Sequence, residues 1–251
     1  MLSIKEKRLR RIMKEGRCVL LAFDHAVEHG PHKYEGVCLD PLRIASIADK
    51  GKADALIVHI GTGRIIKENY GKIPFIIKVT GRTSLSPTMV QEIVTTVDEA
   101  IDIGAIGIAA TVYVGSSMEY VMLRNLAEIK LRCLQEELPL FAFMYPRVND
   151  KKTTNVNFVR YAARLGAELG VDVVKTYYTG SKESFEKVVK DCFVPLLVAG
   201  GIKTEREEEF LKIVKDAISA GASGIAVGRN VWMRDDAIEM LRKIREIVVK
   251  K

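Results

Sequence analysis

Lys175 is the residue of this sequence best placed to do covalent chemistry. It follows an apolar run in the segment V-D-V-V-K-T-Y-Y-T-G at residues 171–180. A lysine at the end of a buried strand loses hydration, and this favours its neutral amine. A neutral amine attacks carbonyl carbons to form an imine. The alternative is a structural lysine paired with a buried carboxylate such as Asp24, and position alone does not separate the two.

Three further side chains fit imine chemistry, and each also has a structural interpretation. Tyr145 ends the run P-L-F-A-F-M-Y and could move a proton at the carbon next to an imine, or it could be a packed aromatic. Asp24 would orient the lysine or help to protonate and deprotonate a carbinolamine, or it would be a structural hydrogen-bond acceptor. Lys78 is a second amine of the same kind, which could instead bind an anion.

Two glycine-containing turns are candidates for phosphate binding. V-A-G-G-I-K-T contains Gly200 and Gly201, and A-V-G-R-N-V contains Gly228 followed by Arg229. Backbone N–H groups at such turns and at the start of a short helix bind phosphate. An arginine adds a charge-assisted hydrogen bond.

The four histidines form another candidate cluster. His25, His29 and His32 lie in one short segment, and His59 ends the second apolar run. Neighbouring imidazoles can bind zinc, but the H-x3-H-x2-H spacing indicates a loop rather than one face of a helix. No carboxylate ligand pattern accompanies it. We therefore expect no metal, and a metal-dependent hydrolase is the alternative of a different class.

Short apolar runs recur eight times along the chain. They do not alternate with polar residues, as expected for strands buried on both faces. The runs lie at about residues 18–23, 54–60, 75–79, 105–113, 139–145, 171–176, 194–199 and 223–227.

Helical patterns separate these runs. Residues 116–138 predict a long helix that starts at Ser116 or Ser117, and another helix at about residues 3–15 precedes the first run. Two apolar stripes with helical spacing consist of Met89, Ile93, Val97 and Ile101, and of Phe210, Leu211, Val214 and Ile218.

Eight strands, each followed by a helix, predict an α/β fold, the (β/α)8 TIM barrel. We expect one domain over residues 1–251, with the N-terminal helix capping the bottom of the barrel. The rival is an open doubly wound sheet, but G-x-G-x-x-G is absent. Catalytic residues of such barrels gather at the carboxyl ends of the strands. Lys175, Tyr145, Asp24 and both glycine turns lie at those ends.

The composition narrows the class of protein further. The 251 residues contain no apolar run of about 18, and the charged N-terminus lacks a signal-peptide core, so a cytoplasmic protein that binds no membrane is expected. The net charge of +7 suits anionic small molecules. Nucleic acid is the weaker interpretation, because the basic residues are spread along helices. The four cysteines are too widely spaced for a disulfide framework: Cys18, Cys38, Cys133 and Cys192.

Several motifs resemble those of the archaeal-type class I fructose-bisphosphate aldolases, the DeoC/FbaB family. The resemblance runs from about residue 17 to residue 232. The motifs are D-H-A-V-E-H-G-P, K-V-T-G-R-T-S-L-S-P, M-Y-P-R, V-V-K-T-Y-Y-T-G and V-A-G-G-I-K-T. The same family includes 2-amino-3,7-dideoxy-threo-hept-6-ulosonate synthase, a transaldol enzyme of aromatic amino-acid synthesis.

The resemblance implies a role for each of the candidate residues. Lys175 would form the Schiff base, Tyr145 would act as acid and base, and Asp24 would assist. The residues expected to bind the substrate and its phosphates are Gly200, Gly201, Gly228, Arg229, His25, Lys78, Arg82 and Ser84. No cofactor or metal is implied. Family members commonly form rings of five, often paired to ten, so a homo-oligomer is expected.

The predicted reaction is the reversible cleavage of fructose 1,6-bisphosphate to dihydroxyacetone phosphate and glyceraldehyde 3-phosphate. E-H-G-P at residues 28–31 favours this aldolase over the synthase. Because a bisphosphate needs a second anion site, the segment with Arg82 and Ser84 is a candidate for it, or is an ordinary surface loop. Ala26 and Val148 replace family glycines, and Phe143-Met144 precede Tyr145. A sugar-phosphate binder without turnover is a further alternative.

Overall fold

Eight parallel strands close into a barrel in the computed structural model, which describes residues 2–30 and 40–249. Each strand pairs with the next, and the last pairs with the first, so the barrel sheet closes on itself. The strands are β1 (Cys18–Phe23), β2 (Ala55–Val58), β3 (Phe75–Lys78), β4 (Gly107–Val114), β5 (Leu140–Val148), β6 (Val173–Thr176), β7 (Leu196–Ala199) and β8 (Gly224–Val227). The predicted (β/α)8 barrel is confirmed.

A helix follows every barrel strand, and one further helix, α1, precedes the first strand. The helices are α1 (Ile4–Ile12), α2 (His25–His29), α3 (Pro41–Lys50), α4 (Ile60–Asn69), α5 (Val97–Asp102), α6 (Glu119–Gln135), α7 (Val156–Glu168), α8 (Lys182–Asp191), α9 (Glu207–Ser219), α10 (Arg229–Trp232) and α11 (Ala237–Val249). Within the described ranges, none of them is long and apolar enough to cross a membrane.

The core has two layers because side chains alternate across each strand. One face of the strands fills the barrel interior with Leu20, Ile57, Phe141, Val173 and Leu197. The other face packs against the helices. Polar side chains that share the interior face can therefore emerge only at an end of the barrel.

Helix α1 caps the amino-terminal end of the barrel, as predicted. It begins with a capping box between Ser3 and Glu6, which satisfies backbone N–H groups of its first turn. Arg8 donates to the carbonyls of Glu136 and Glu137 just before β5. Ile12 at its end is buried in the interior cluster.

Two predicted helices start later than their sequence patterns suggest. Helix α5 begins at Val97, because Thr96 and Glu99 form a capping box there, and Ile93 belongs instead to a hairpin between Thr80–Gly81 and Glu92–Ile93.

Helix α6 begins at Glu119, after both predicted serine caps. The Ser116 hydroxyl donates to the carbonyl of Met89 and accepts from the N–H of Met118, while the Ser117 hydroxyl donates to Asp150. Both serines are thus engaged by neighbouring segments, and neither caps the helix.

Candidate active site

A cavity opens at the carboxyl ends of the barrel strands. The charged and phenolic side chains that line it are Asp24, His25, Glu28, Lys78, Tyr113, Tyr145, Arg147, Lys152, Lys175, Tyr177 and Arg229. The backbone of Gly200, Gly201 and Gly228 also lines it. Most of the residues expected to bind or act on a substrate thus lie around a single cavity.

Strand alternation explains why the cavity contains these groups. Val173 packs in the barrel interior, so Lys175, two residues further along β6, faces the same way nearer to the carboxyl end. Lys78 on β3 and Tyr145 on β5 face inward for the same reason. The β5–β6 register pairs Phe143 with Lys175.

Lys175 packs against an aromatic ring and has no ionic partner within the described part of the chain. Its Nζ is 4.1 Å from the centroid of the Phe143 ring, and among the described residues it makes no hydrogen bond or ion pair. Burial lowers the pKa of Lys175 to about 8, with the charge of Lys78 acting in the same direction against Asp24 and Glu28. A substantial fraction of the amine is therefore neutral at a mildly alkaline pH, as a nucleophile requires.

Lys78 is the lysine that pairs with the buried carboxylates. Its Nζ lies 3.5 Å from Asp24 Oδ2 and also bonds to Glu28. Burial favours its neutral form, but Glu28 and Asp24 outweigh burial and raise the pKa of Lys78. The structural pairing considered for Lys175 is thus made by Lys78, and the pKa values of the two lysines are shifted in opposite directions.

Asp24 is ionised despite its burial. Burial alone would raise the pKa of Asp24, but the positive charges around it, Lys78 first among them, hold the pKa far below its usual range. The carboxylate can therefore accept a hydrogen bond from a reacting group nearby and stabilise a positive charge on it.

Glu28 anchors a buried network behind Lys78. Its carboxylate accepts hydrogen bonds from Gln91 Nε2 at 3.0 Å and from the Tyr113 hydroxyl at 3.1 Å, besides the bond from Lys78. A charge with this many partners is adequately compensated in a low-dielectric site. Glu28 therefore fixes the position of the Lys78 ammonium group.

Tyr145 is a protonated phenol in the cavity. Burial, followed by the neighbouring Tyr177 and the two carboxylates, raises its pKa well above the ordinary value. Its ring lies parallel to that of Tyr177, with centroids 4.4 Å apart and an angle of 9° between the planes. The hydroxyl can donate a proton to a substrate.

The two glycine turns meet at the ends of β7 and β8. Asn230, which is buried, donates to the carbonyls of Gly200 and Ile202, each at 2.8 Å, and thereby joins the turns. Gly228 precedes the short helix α10. A Cβ on Gly228 would lie 2.9 Å from the carbonyl oxygen of Ala22 and closer still to the His25 ring, so the close packing of this turn requires glycine.

Three cations surround the cavity without a carboxylate partner among the described residues: Arg147, Lys152 and Arg229. Burial, then the charges of Arg147 and Arg229, lowers the pKa of Lys152. Burial also lowers the pKa of Arg229. In the described structure, the Nε atoms of both arginines are buried and lack a hydrogen-bond partner. An anionic ligand would offset this concentration of positive charge.

His25 and His59 lie beside Asp24 rather than forming a separate cluster. The Nδ1 of His25 is 3.4 Å from Asp24 Oδ1, and the ring packs edge-on against Trp232. The predicted loop is wrong for this segment, because residues 25–29 form α2. His32 and the side chain of His29 lie outside the described part of the chain. Within that part no group of three or more metal-ligating side chains is found.

Arg82 and Ser84 lie away from the cavity lining. The guanidinium of Arg82 donates to Met89 Sδ and to the carbonyl of Ser86, within its own loop. Ser84 donates to the carbonyl of Gly30. Arg82 thus contacts its own loop and Ser84 contacts Gly30, and neither side chain lines the cavity in this structure.

Arg147, Lys152, Tyr113 and Tyr177 were not selected from the sequence as site residues. Arg147 belongs to M-Y-P-R and Tyr177 to V-V-K-T-Y-Y-T-G, so the motifs contained a signal for those two. Lys152 reaches the cavity because Lys151–Lys152 folds back on β5 as a hairpin. The sequence signal for that turn is Asn149-Asp150, since both residues have positive φ and these residue types are typical of the centre of a tight hairpin turn.

Comparison with known proteins agrees with this geometry. Residues 18–234 match the model of the DeoC/LacD family aldolases. The chain is 40% identical to the class 1 fructose-bisphosphate aldolase of Thermoproteus tenax, over 99% of this chain and 95% of that protein. It is 38% identical to 2-amino-3,7-dideoxy-D-threo-hept-6-ulosonate synthase 1 of Archaeoglobus fulgidus, over 97% and 90% of the two chains.

A solved structure also resembles this one closely. It is an archaeal fructose-1,6-bisphosphate aldolase whose catalytic lysine is covalently bound to the carbinolamine intermediate of the substrate. The TM-score is 0.92 at 38% identity, over 98% of this chain and 99% of the other.

Proposed function

Because the chain belongs to the DeoC/LacD family of aldolases, we propose that it cleaves and forms fructose 1,6-bisphosphate through an imine on Lys175. One observation identifies which lysine forms the imine. Of the two buried lysines in the cavity, Lys78 is paired with Asp24 and Glu28, whereas burial lowers the pKa of Lys175 to about 8.

In the direction of synthesis, the neutral amine of Lys175 attacks the ketone carbon of dihydroxyacetone phosphate. The resulting carbinolamine takes up a proton from solvent on its hydroxyl and loses water, and the ionised Asp24 stabilises the positive charge that develops. The iminium then acts as an electron sink. Tyr145 loses its own proton to solvent beside the positively charged iminium, and as the phenolate it takes the proton of the neighbouring carbon, which gives the enamine and restores the phenol. The enamine is neutral, so no free carbanion has to form.

The enamine carbon then attacks the aldehyde of glyceraldehyde 3-phosphate, and the new alkoxide takes a proton. Protonated Tyr145 is the proton donor for this step. Water adds to the iminium, and release of the sugar regenerates the amine of Lys175. Cleavage follows the same steps in reverse, with Tyr145 taking part in the corresponding proton transfers.

The two phosphates of the sugar require two anion sites. We assign the first to the Gly200, Gly201 and Gly228 backbone with Arg229, as the sequence predicted. For the second, Arg147 and Lys152 are better placed than Arg82 and Ser84, because they line the cavity. Their positive charge lacks a carboxylate partner among the described residues.

Borohydride trapping tests the assignment of Lys175. Reduction in the presence of dihydroxyacetone phosphate should convert the imine to a stable secondary amine, and peptide mapping by mass spectrometry should locate it on Lys175. Lys175→Met should abolish trapping, whereas the control Lys182→Met, on the exposed surface of α8, should not. An adduct on Lys78, or none in the wild type, would refute the proposal.

The synthase reaction is a second candidate, because the 38% identical relative from Archaeoglobus fulgidus has that name. A transaldol reaction would use the same imine on Lys175, with a different acceptor. The cytoplasmic location and the homo-oligomer expected from the sequence remain predictions.

A further inference from the structure

We propose that Tyr177 is a positioning residue for Tyr145, and that Arg147 and Lys152 hold Tyr177 in place for this purpose. The inference rests on the proposed aldolase function, because it concerns the step in which Tyr145 transfers a proton.

The orientation of the Tyr145 phenol depends on ring packing. Among the described residues its hydroxyl makes no hydrogen bond, so no polar contact of the protein fixes the direction of the O–H group. Its ring is stacked on Tyr177 at 4.4 Å and 9°, and it meets Phe143 at 6.2 Å and a tilt of 48°. The parallel stack with Tyr177 is the closer of these two ring contacts, and it restricts rotation of the Tyr145 ring.

Tyr177 is itself fixed at its hydroxyl and on a ring face. Arg147 Nη1 donates to the Tyr177 hydroxyl at 2.8 Å. Lys152 Nζ lies 4.5 Å from the centroid of the Tyr177 ring. Tyr177 therefore makes a cation–π contact with Lys152 in addition to its stack with Tyr145.

Arg147 is held in turn by another aromatic ring. Its guanidinium carbon lies 4.4 Å from the centroid of Tyr113, a cation–π contact in a buried setting. A chain of contacts therefore runs from Tyr113 through Arg147 and Tyr177 to Tyr145. This chain connects Arg147, which we assign to the second phosphate of the sugar, with the proton donor Tyr145.

Strand β6 explains why Tyr177 takes this position. Tyr177 follows Lys175 by two residues and also lines the cavity, whereas Tyr178 packs against Phe185 on the outer side. The residue that orients the acid thus lies directly after the strand that carries the nucleophile. A misplacement of about 1 Å in such a group can cost about 10²-fold in rate.

The test separates imine formation from proton transfer. Borohydride trapping on Lys175 measures the first, and exchange of the proton next to the imine of dihydroxyacetone phosphate with deuterated water measures the second. Tyr177→Leu should leave trapping within about twofold of wild type and lower proton exchange by about tenfold to a hundredfold. Tyr177→Phe keeps the stack but loses the bond from Arg147, and should fall between wild type and Tyr177→Leu.

Tyr178→Leu is the matched control, because it removes the neighbouring tyrosine, which packs against Phe185 and does not line the cavity. The ratio of the proton-exchange rate to the trapping rate should be the same in this variant as in wild type. The double variant Tyr145→Phe with Tyr177→Leu should exchange no more slowly than Tyr145→Phe alone, because Tyr177 acts through the phenol hydroxyl.

Several outcomes would overturn the inference: normal exchange in Tyr177→Leu, equal losses of trapping and exchange, or additive losses in the double variant. If Tyr177→Leu does not fold, Tyr177→Phe decides, since exchange as fast as in wild type would refute the role. Absence of trapping in the wild type would instead refute the proposed function itself.

Discussion

The side-chain nitrogen of Lys175 lies 4.1 Å from the centroid of the Phe143 ring. This aromatic surface faces the amine where a structural lysine would have a carboxylate, and the nearest carboxylates are paired with Lys78. A lysine in such surroundings is poorly solvated in its charged form. The resulting pKa of about 8 leads to a prediction about pH.

Activity should rise with pH through the region of the Lys175 pKa. The reactive form is the neutral amine, so kcat/KM should fall by about tenfold per unit below a pH of about 8 and level off above it. The measurement is a pH profile of kcat/KM, with the rate of imine trapping measured over the same range. A trapping rate that stays constant well below pH 8 would contradict the lowered pKa.

Two variants near Lys175 should move this profile in opposite directions. Glu28→Gln removes a negative charge that raises the pKa of Lys175, so the rising limb should move to lower pH. Lys78→Met removes a positive charge that lowers the pKa, so the limb should move to higher pH. Because Lys78→Met leaves buried carboxylates unpaired, its melting temperature should fall as well. Shifts of the same sign in both variants would show that charge is not the cause.

Tyr145→Phe should retain imine formation and lose turnover. The substitution removes only the phenolic oxygen, so borohydride should still trap substrate on Lys175. Turnover should fall by about 10²-fold or more, the usual cost of losing a general acid or base. Steady-state rates and trapping yields on the same preparation give both quantities. Full turnover in this variant would show that Tyr145 has only a packing role.

Arg229→Ala should weaken binding of phosphorylated substrates selectively. The guanidinium is half-buried beside the glycine turns, and an anion would relieve the cost of burying it. KM for dihydroxyacetone phosphate should rise by about tenfold or more, as expected for loss of a charged hydrogen bond. KM for dihydroxyacetone should change little. An equal rise for both substrates would show that Arg229 does not contact the phosphate.

Fructose 1,6-bisphosphate should be the preferred substrate. Three cations around the cavity suit a sugar with a phosphate at each end, whereas 6-deoxy-5-ketofructose 1-phosphate has one. The measurement compares kcat/KM for fructose 1,6-bisphosphate with that of the synthase reaction, which pairs the ketofructose phosphate with aspartate semialdehyde. A clear preference for the synthase pair would overturn the substrate assignment and leave the imine on Lys175 unaffected.

The sequence was sufficient to predict the barrel and three of the residues at its centre. Eight short, largely apolar runs separated by helical patterns are typical of a closed parallel barrel, in which each strand is buried on both faces. The carboxyl ends of parallel strands meet at one end of a barrel. Polar residues that end the runs, such as Asp24, Tyr145 and Lys175, were therefore expected to lie close together. This expectation does not depend on the exact first residue of each strand.

Only the tertiary structure decided which partners these residues take. Whether Lys78 or Lys175 pairs with Asp24 depends on distances across the barrel, and these follow from strand register and from Glu28 on α2. The same holds for the cations. Lys152 reaches the cavity through a hairpin, whereas Arg82 bonds within its own loop. Contacts between residues far apart in sequence decide which charged groups are paired and which line the cavity. Local residue patterns do not reveal these contacts.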